Sequence, residues 1–179
     1  MKAVLDACVI YPSVLREILV GAAAAGLYQP LWSERILGEW ARAVAKLGPV
    51  ADAQATAEAV LMRRDFPAAM VRAQPGIAAR LMLPDPDDVH VLAVAIGGHA
   101  DAIITFNAAD FPRHLLAEGG IARRDPDGFL WELQSHHPEV MAGILRDVVN
   151  KASRIDGAPV SLKGLLKRAK LPRLAKAVA

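Results

Sequence analysis

Short apolar runs alternate with longer amphipathic stretches over the first two thirds of the chain. Residues 3–5 are a continuous apolar run, and residues 102–105 are three apolar residues followed by Thr105; both patterns are typical of strands that are buried on both faces. Further extended segments are predicted at 27–32, 69–71 and 121–123, and helices at 12–26, 33–47, 52–64 and 85–98. Strands that alternate with helices, with few hairpin turns, predict an α/β protein with a parallel sheet covered by helices.

Beyond Pro126 the pattern is helical only, with predicted helices at 126–135, 138–153, 161–169 and from 172 onward. We therefore expect an α/β domain over residues 1–137 and a helical extension over 138–179 that is too small to fold alone. Residues 151–179 carry eight basic residues and one acid, so their net charge is +7 and that of the remainder is −5. This asymmetry indicates a polyanionic partner, or a basic tail that docks on its own acidic body.

Composition narrows the class of protein. The chain has 179 residues, of which 54% are apolar and 22% are charged, as in one folded domain and unlike a disordered protein. A single cysteine, Cys8, excludes a disulfide framework and a cysteine zinc cluster. The longest segment without a charged residue, 18–33, contains glycines and a proline, and Asp6 lies too early for a secretory signal. We expect a cytoplasmic protein without a membrane segment.

Two acidic residues stand where local structure does not require them. Asp6 directly follows the first strand, at the sheet edge where parallel α/β proteins bind ligands; alternatively, it is a turn residue that caps the next segment. Glu39 lies on the apolar stripe of its helix, between Ile36 and Ala43. A carboxylate there needs a cation or hydrogen-bond donors, unless it reaches the edge of the stripe to pair with an arginine such as Arg42.

Two further acidic segments are predicted to reach the same edge. Within Asp85-Pro86-Asp87-Asp88, Asp85 is a natural helix cap, whereas Asp88 shares the apolar face of its helix and points inward. Thr105, Asn107 and Asp110 follow the second clear strand, where an ordinary Asx-turn is the alternative interpretation. Phe106, in the same loop, is expected to fill the core rather than to stack on a base.

Four carboxylates at one rim repel each other strongly unless protons or cations neutralise them. Oxygen ligands without cysteine or clustered histidine favour Mg²⁺ or Mn²⁺ over zinc. Such ions are the usual partners of phosphate chemistry, so the spacing predicts hydrolysis of a phosphoester.

Together these segments resemble the PIN-domain nucleases, and especially the VapC-type ribonuclease toxins of bacterial toxin–antitoxin pairs. The resemblance covers about residues 1–130, and the segment from Phe129 to Pro172 is similar to the helical extension of one subgroup of these toxins. It rests on the following motifs: Leu5-Asp6-Ala7-Cys8-Val9, Trp32-Ser33 leading to Glu39, Asp85-Pro86-Asp87-Asp88, and Thr105-Phe106-Asn107-Ala108-Ala109-Asp110-Phe111.

The resemblance implies a three-layer α/β/α fold and Mg²⁺- or Mn²⁺-dependent cleavage of single-stranded RNA. It implies that Asp6, Glu39, Asp88 and Asp110 are catalytic, and that the three aspartates among them bind the metal. Many members have an aspartate where this chain has Asn107, so whether Asn107 or Asp110 fills the fourth position stays open.

Supporting residues and partners follow from the same resemblance. Thr105, Asn107, Asp85 and Arg16 are candidates for orienting the ligands or the substrate. The implied partners are RNA and a small antitoxin protein that covers the site, and homodimers are common in the family.

Three other functions each require specific features of the sequence. A phosphatase of the haloacid dehalogenase type needs a second acid two residues after Asp6, where this chain has Cys8. A receiver-like phospho-acceptor domain needs a lysine after a late strand, and residues 105–111 contain none. A catalytically silent PIN-like module that binds RNA or protein remains the main alternative.

Overall fold

The computed structural model describes residues 1–178. It contains four short strands: β1 Lys2–Leu5, β2 Gln29–Leu31, β3 Ala102–Ile104 and β4 Ala122–Arg124. Its α-helices are α1 Ala7–Ile10, α2 Ser13–Ala24, α3 Glu34–Ala45, α4 Pro49–Asp65, α5 Pro75–Ala78, α6 Val89–Gly97, α7 Arg113–Glu118, α8 Pro126–His136, α9 Pro138–Asp156, α10 Leu162–Arg168 and α11 Pro172–Ala177. Single 3₁₀ turns occupy Pro67–Ala69 and Pro86–Asp88.

The strands form one all-parallel sheet in the order β2-β1-β3-β4. Ala3 lies opposite Pro30 on one side and Ala102 on the other, so β1 is a central strand. The three apolar residues of β3 are all buried, as their continuous apolar run predicts. These features, with helices between the strands, confirm the predicted PIN-like α/β class and the helical C-terminal segment.

The chain divides into two compact units that each combine distant segments. The first unit contains residues 1–11 and 29–124 and therefore the whole sheet. Helix α6 packs against β1 and β3, while α3 packs against α4 and α1. The apolar core of this unit includes the fully buried Trp32, Trp40 and Ile103.

The second unit, residues 12–28 and 125–178 of the described chain, is built only from helices. Helix α2 packs against α9, where a Cβ on Gly21 would lie 2.9 Å from a methyl carbon of Ile144, so the helices approach closely because Gly21 has no side chain. Lys151 pairs with Glu17 across the same helices at 2.7 Å. The expected functional boundary at residue 137 remains a prediction.

One predicted strand is wrong. Residues 69–71 form no strand; Met70 makes a single parallel bridge to Trp32 beside the 3₁₀ turn at 67–69. Pro67 removes one backbone donor directly before this segment and thus disfavours a longer ladder there.

Candidate functional site

The carboxyl ends of β1 and β3 place Asp6 and Thr105 side by side. The Thr105 hydroxyl donates to Asp6 Oδ2 over 2.7 Å, and the Cys8 thiol donates to the same oxygen over 3.1 Å. Asp6 occupies the N-cap position of α1, but its side chain makes no capping hydrogen bond. Its carboxylate is only 6% exposed and therefore faces the sheet edge, which disagrees with the interpretation of Asp6 as a helix cap.

Cys8 acts as a hydrogen-bond donor and not as a thiolate. Burial, with the nearby charge of Asp6, raises the pKa of the Cys8 thiol to about 12. The proton therefore stays on sulfur at neutral pH, and the thiol is available to hold the Asp6 carboxylate.

A group of three carboxylates lies at the same edge. Oxygen atoms of Asp85, Asp88 and Asp110 lie within 4.8 Å of one another, and each of the three side chains is half-buried. Asp85 caps the 3₁₀ turn before α6 by accepting from the Asp87 amide over 2.9 Å, as predicted for this position. Thus the close trio contains Asp85, which the sequence placed only in a supporting role.

Asn107 joins two members of this trio. Its side-chain amide donates to Asp88 Oδ2 over 3.1 Å and also to Asp110 Oδ2. Its backbone amide donates to the Thr105 hydroxyl over 2.9 Å, so one hydrogen-bond chain links Asp6, Thr105, Asn107 and the trio. Asp110 supplies a carboxylate to the trio, whereas Asn107 orients the carboxylates around it.

The negative charges of Asp6 and Glu39 repel the charge on one member of the trio, Asp88. The pKa of Asp88 is raised to about 6, first by burial and then by the charges of Asp6, Asp85, Asp110 and Glu39. Asp85, Asp88 and Asp110 form no ion pair with a basic side chain anywhere in residues 1–178. The excess negative charge and the all-oxygen donor set fit a hard divalent cation such as Mg²⁺ or Mn²⁺.

Glu39 is held separately by Arg35, with His90 beside it. Arg35, one turn earlier in α3, donates to Glu39 Oε1 over 3.0 Å, and His90 Nε2 lies 3.0 Å from the same oxygen. Burial lowers the pKa of His90 although Glu39 opposes the shift, so the imidazole is mainly neutral at pH 7. Arg35, not the suggested Arg42, is the arginine partner of Glu39.

Sequence reasoning missed Arg35 and His90 as parts of this arrangement. The signal for Arg35 is its i,i+4 spacing to Glu39, which places the two side chains together on α3. His90 lies two residues after Asp88, but only the approach of α6 to α3 reveals its contact with Glu39.

The last two residues to be located are Phe106 and Arg16. Phe106 is 37% exposed, so the expectation that it fills the core is wrong, whereas Phe111 in the same loop is fully buried. Arg16 is buried in α2, within the second unit, and its expected role in positioning substrate remains a prediction.

Replacing Asp88 by asparagine is expected to stabilise the metal-free protein. The folded-state pKa of about 6 exceeds the ordinary 3.8, so ionised Asp88 destabilises the fold, and this penalty grows as pH rises from about 4 to 6. Because Asp88 is only half-buried, we expect a gain of about 1 kcal/mol, or roughly 2–4 °C, at pH 7.5 in EDTA. The gain is measured as the difference in melting temperature between Asp88→Asn and the unmodified protein at pH 7.5 and at pH 4.

The matched control is Asp87→Asn, since the Asp87 side chain is 93% exposed. It should leave the melting temperature within about 1 °C. A stabilisation by Asp88→Asn that is as large at pH 4 as at pH 7.5 would contradict the assigned repulsion.

The chain matches a model of a known protein family. The model of the PIN domain family matches residues 2–109, more than half of the chain. The matched segment contains Asp6, Glu39, Asp85, Asp88 and Asn107, and it ends one residue before Asp110. Comparisons with curated proteins and with solved structures found no match. No helix among residues 1–178 combines the length and apolar character needed to cross a bilayer.

Proposed function

The chain belongs to the PIN domain family, whose fold is of the nuclease type, and on that premise we propose that it is a metal-dependent endoribonuclease that cleaves single-stranded RNA. The observation that carries the proposal is the unneutralised group of carboxylates at the carboxyl ends of the parallel strands. In this proposal, the catalytic residues are Asp6, Glu39, Asp88 and Asp110.

Asp88 and Asp110, supported by Asp85 and Asp6, would hold the divalent cation. When bound, such an ion supplies charge stabilisation for a phosphoryl group and for the departing oxygen. The chain prepares this position by fixing the carboxylates: Asn107 holds Asp88 and Asp110, while Thr105 and Cys8 hold Asp6. Fixed ligands lower the reorganisation needed when the substrate phosphate arrives.

Glu39 has a different role in this proposal. Its Oε1 atom accepts a hydrogen bond from Arg35, lies 3.0 Å from His90 Nε2 and takes no part in the carboxylate trio. A carboxylate in this position is suited to orient the attacking water and to accept its proton.

The resemblance to VapC-type toxins extends the proposal to a biological role. In that role, the protein is the toxin of a toxin–antitoxin pair, and a small antitoxin protein covers the acidic edge. RNA is the substrate, the chain acts in the cytoplasm, and homodimer formation is expected. A short reading frame directly upstream of the gene would support this role.

Metal removal tests the enzymatic proposal. Purified protein should cleave a labelled single-stranded RNA in about 5 mM Mg²⁺ or Mn²⁺ and lose all activity in excess EDTA. This metal concentration is chosen because sites made of carboxylates and water bind these ions weakly. Addition of Mn²⁺ in excess over the EDTA should restore cleavage. Metal-independent cleavage would contradict the proposal, and binding of RNA without any cleavage would favour the catalytically silent module.

A further inference from the structure

The second unit carries an exposed aromatic ring beside two cations. Trp131 of α8 is 46% exposed, which is unusual for the largest apolar side chain. Trp131, Arg173, Lys176 and Ala177 line one surface hollow of about 410 Å³, which we call the Trp131 hollow. All four residues belong to the second unit, so this surface is defined within one compact body.

The surrounding helices are strongly basic. Segment 161–178, which forms α10 and α11, contains six basic residues and no acid; the six are Lys163, Lys167, Arg168, Lys170, Arg173 and Lys176. All six are exposed, whereas Leu165, Leu166, Leu171 and Leu174 are buried beneath them. The leucines hold the helical pair in place and leave its charged side chains to solvent.

A buried carboxylate anchors the start of the helix that carries both cations. The Asp127 carboxylate of α8 is 7% exposed and accepts the backbone amides of Arg173 and Leu174 over 2.8 and 3.0 Å. These bonds satisfy two free donors at the start of α11 and attach it to the helix that carries Trp131. The backbone that carries Arg173 is therefore anchored to the helix that carries Trp131.

Asp125 and Asp127 contact backbone amides and form no ion pair with the two cations of the hollow. Asp125 caps α8 through the Gly128 amide, and Asp127 is occupied by the two amides of α11. Glu132 follows Trp131 in α8 and engages a partner of its own. Arg173 and Lys176 form no ion pair within residues 1–178, so both remain available to a ligand.

We propose that the Trp131 hollow binds single-stranded RNA, with one base stacked on Trp131 and the flanking phosphates paired with Arg173 and Lys176. A flat aromatic ring beside two cations suits a single strand, in which bases alternate with phosphates. An acidic protein segment offers the charges but lacks a base to stack on the ring. This inference rests on the proposed function only in taking RNA as the substrate, and it adds a binding surface to the acidic site.

The test measures binding without cleavage. Affinity for a fluorescein-labelled single-stranded 12-mer of adenosine is followed by anisotropy in EDTA, at several salt concentrations, using the full chain. Trp131→Ala is expected to raise the Kd about tenfold, whereas Trp131→Phe, which keeps an aromatic face, should change it much less. Thermal unfolding of each variant checks that the substitution at Trp131 leaves the protein folded.

A charge-matched pair of double variants separates the hollow from general electrostatic attraction. Arg173→Gln with Lys176→Gln should flatten the slope of log K against log salt by roughly 1.4, or about 0.7 for each lost phosphate contact. Arg154→Gln with Lys163→Gln removes the same charge from exposed positions of the same unit that do not line the hollow. The control should have a clearly smaller effect on affinity and slope.

Three results would overturn the inference: equal losses in both double variants, unchanged affinity in Trp131→Ala, or displacement of the RNA by polyglutamate of equal charge. The last result would instead identify an acidic protein as the ligand. Because cleavage is not measured, the two proposals fail separately. If RNA binding requires Trp131 but no RNA is cleaved, the binding surface is supported and the nuclease proposal fails. If Trp131→Ala binds and cleaves RNA normally, the nuclease proposal stands and the binding surface fails.

Discussion

Asp6→Asn is expected to reduce metal-dependent RNA cleavage by about a thousandfold, equivalent to roughly 4 kcal/mol of transition-state stabilisation. Asp6 lies at the end of the central strand β1, buried, with Thr105 and Cys8 donating to one carboxylate oxygen. The asparagine side chain keeps the shape of the aspartate and one oxygen acceptor, but it removes the charge that a divalent cation requires. Initial rates on a labelled RNA, with Mn²⁺ titrated for each protein, measure the effect.

Asp101→Asn provides the control at the opposite edge of the sheet. Asp101 precedes β3 and accepts the Lys2 amide over 2.7 Å, so the same chemical change falls at the amino ends of the strands. Its cleavage rate should stay close to that of the unmodified protein. Full activity in a folded Asp6→Asn protein would remove Asp6 from the catalytic set, and loss of activity in both variants would point to a structural cause.

Asp127→Ala is expected to destabilise the second unit by about 2–3 kcal/mol. Two backbone donors, on Arg173 and Leu174, would lose their buried acceptor at the start of α11. Loss of stability should appear as a melting temperature lower by roughly 5–10 °C and as faster hydrogen exchange in residues 173–178. The more conservative Asp127→Asn keeps one acceptor oxygen and should cost less.

Asp125→Ala is the matched comparison, because Asp125 caps α8 through a single bond to the Gly128 amide over 2.8 Å. A lost helix cap costs about 1 kcal/mol, so this variant should be clearly more stable than Asp127→Ala. Equal stabilities would show that Asp127 is an ordinary surface acid and would weaken the anchored geometry of the Trp131 hollow.

The sequence was most informative where one local rule acted alone. The apolar runs of β1 and β3, the Ser33 cap of α3 and the proline starts of α8, α9 and α11 were all predictable from adjacent residues. The same rules placed Asp6 and Asp110 at one sheet edge, because parallel strands share their carboxyl ends. Short elements such as α1 and α5 escaped prediction, since four residues carry too little periodic pattern.

The sequence by itself determined the α/β class, the parallel strands and the acidic residues available at their ends, because these depend on residue spacing along the chain. Tertiary structure alone decided which oxygens form the trio with Asp85, that His90 lies beside Glu39, and that α2 joins the C-terminal helices through Gly21 and Ile144. Those contacts join residues far apart in sequence, so they depend on packing distances that no local pattern contains.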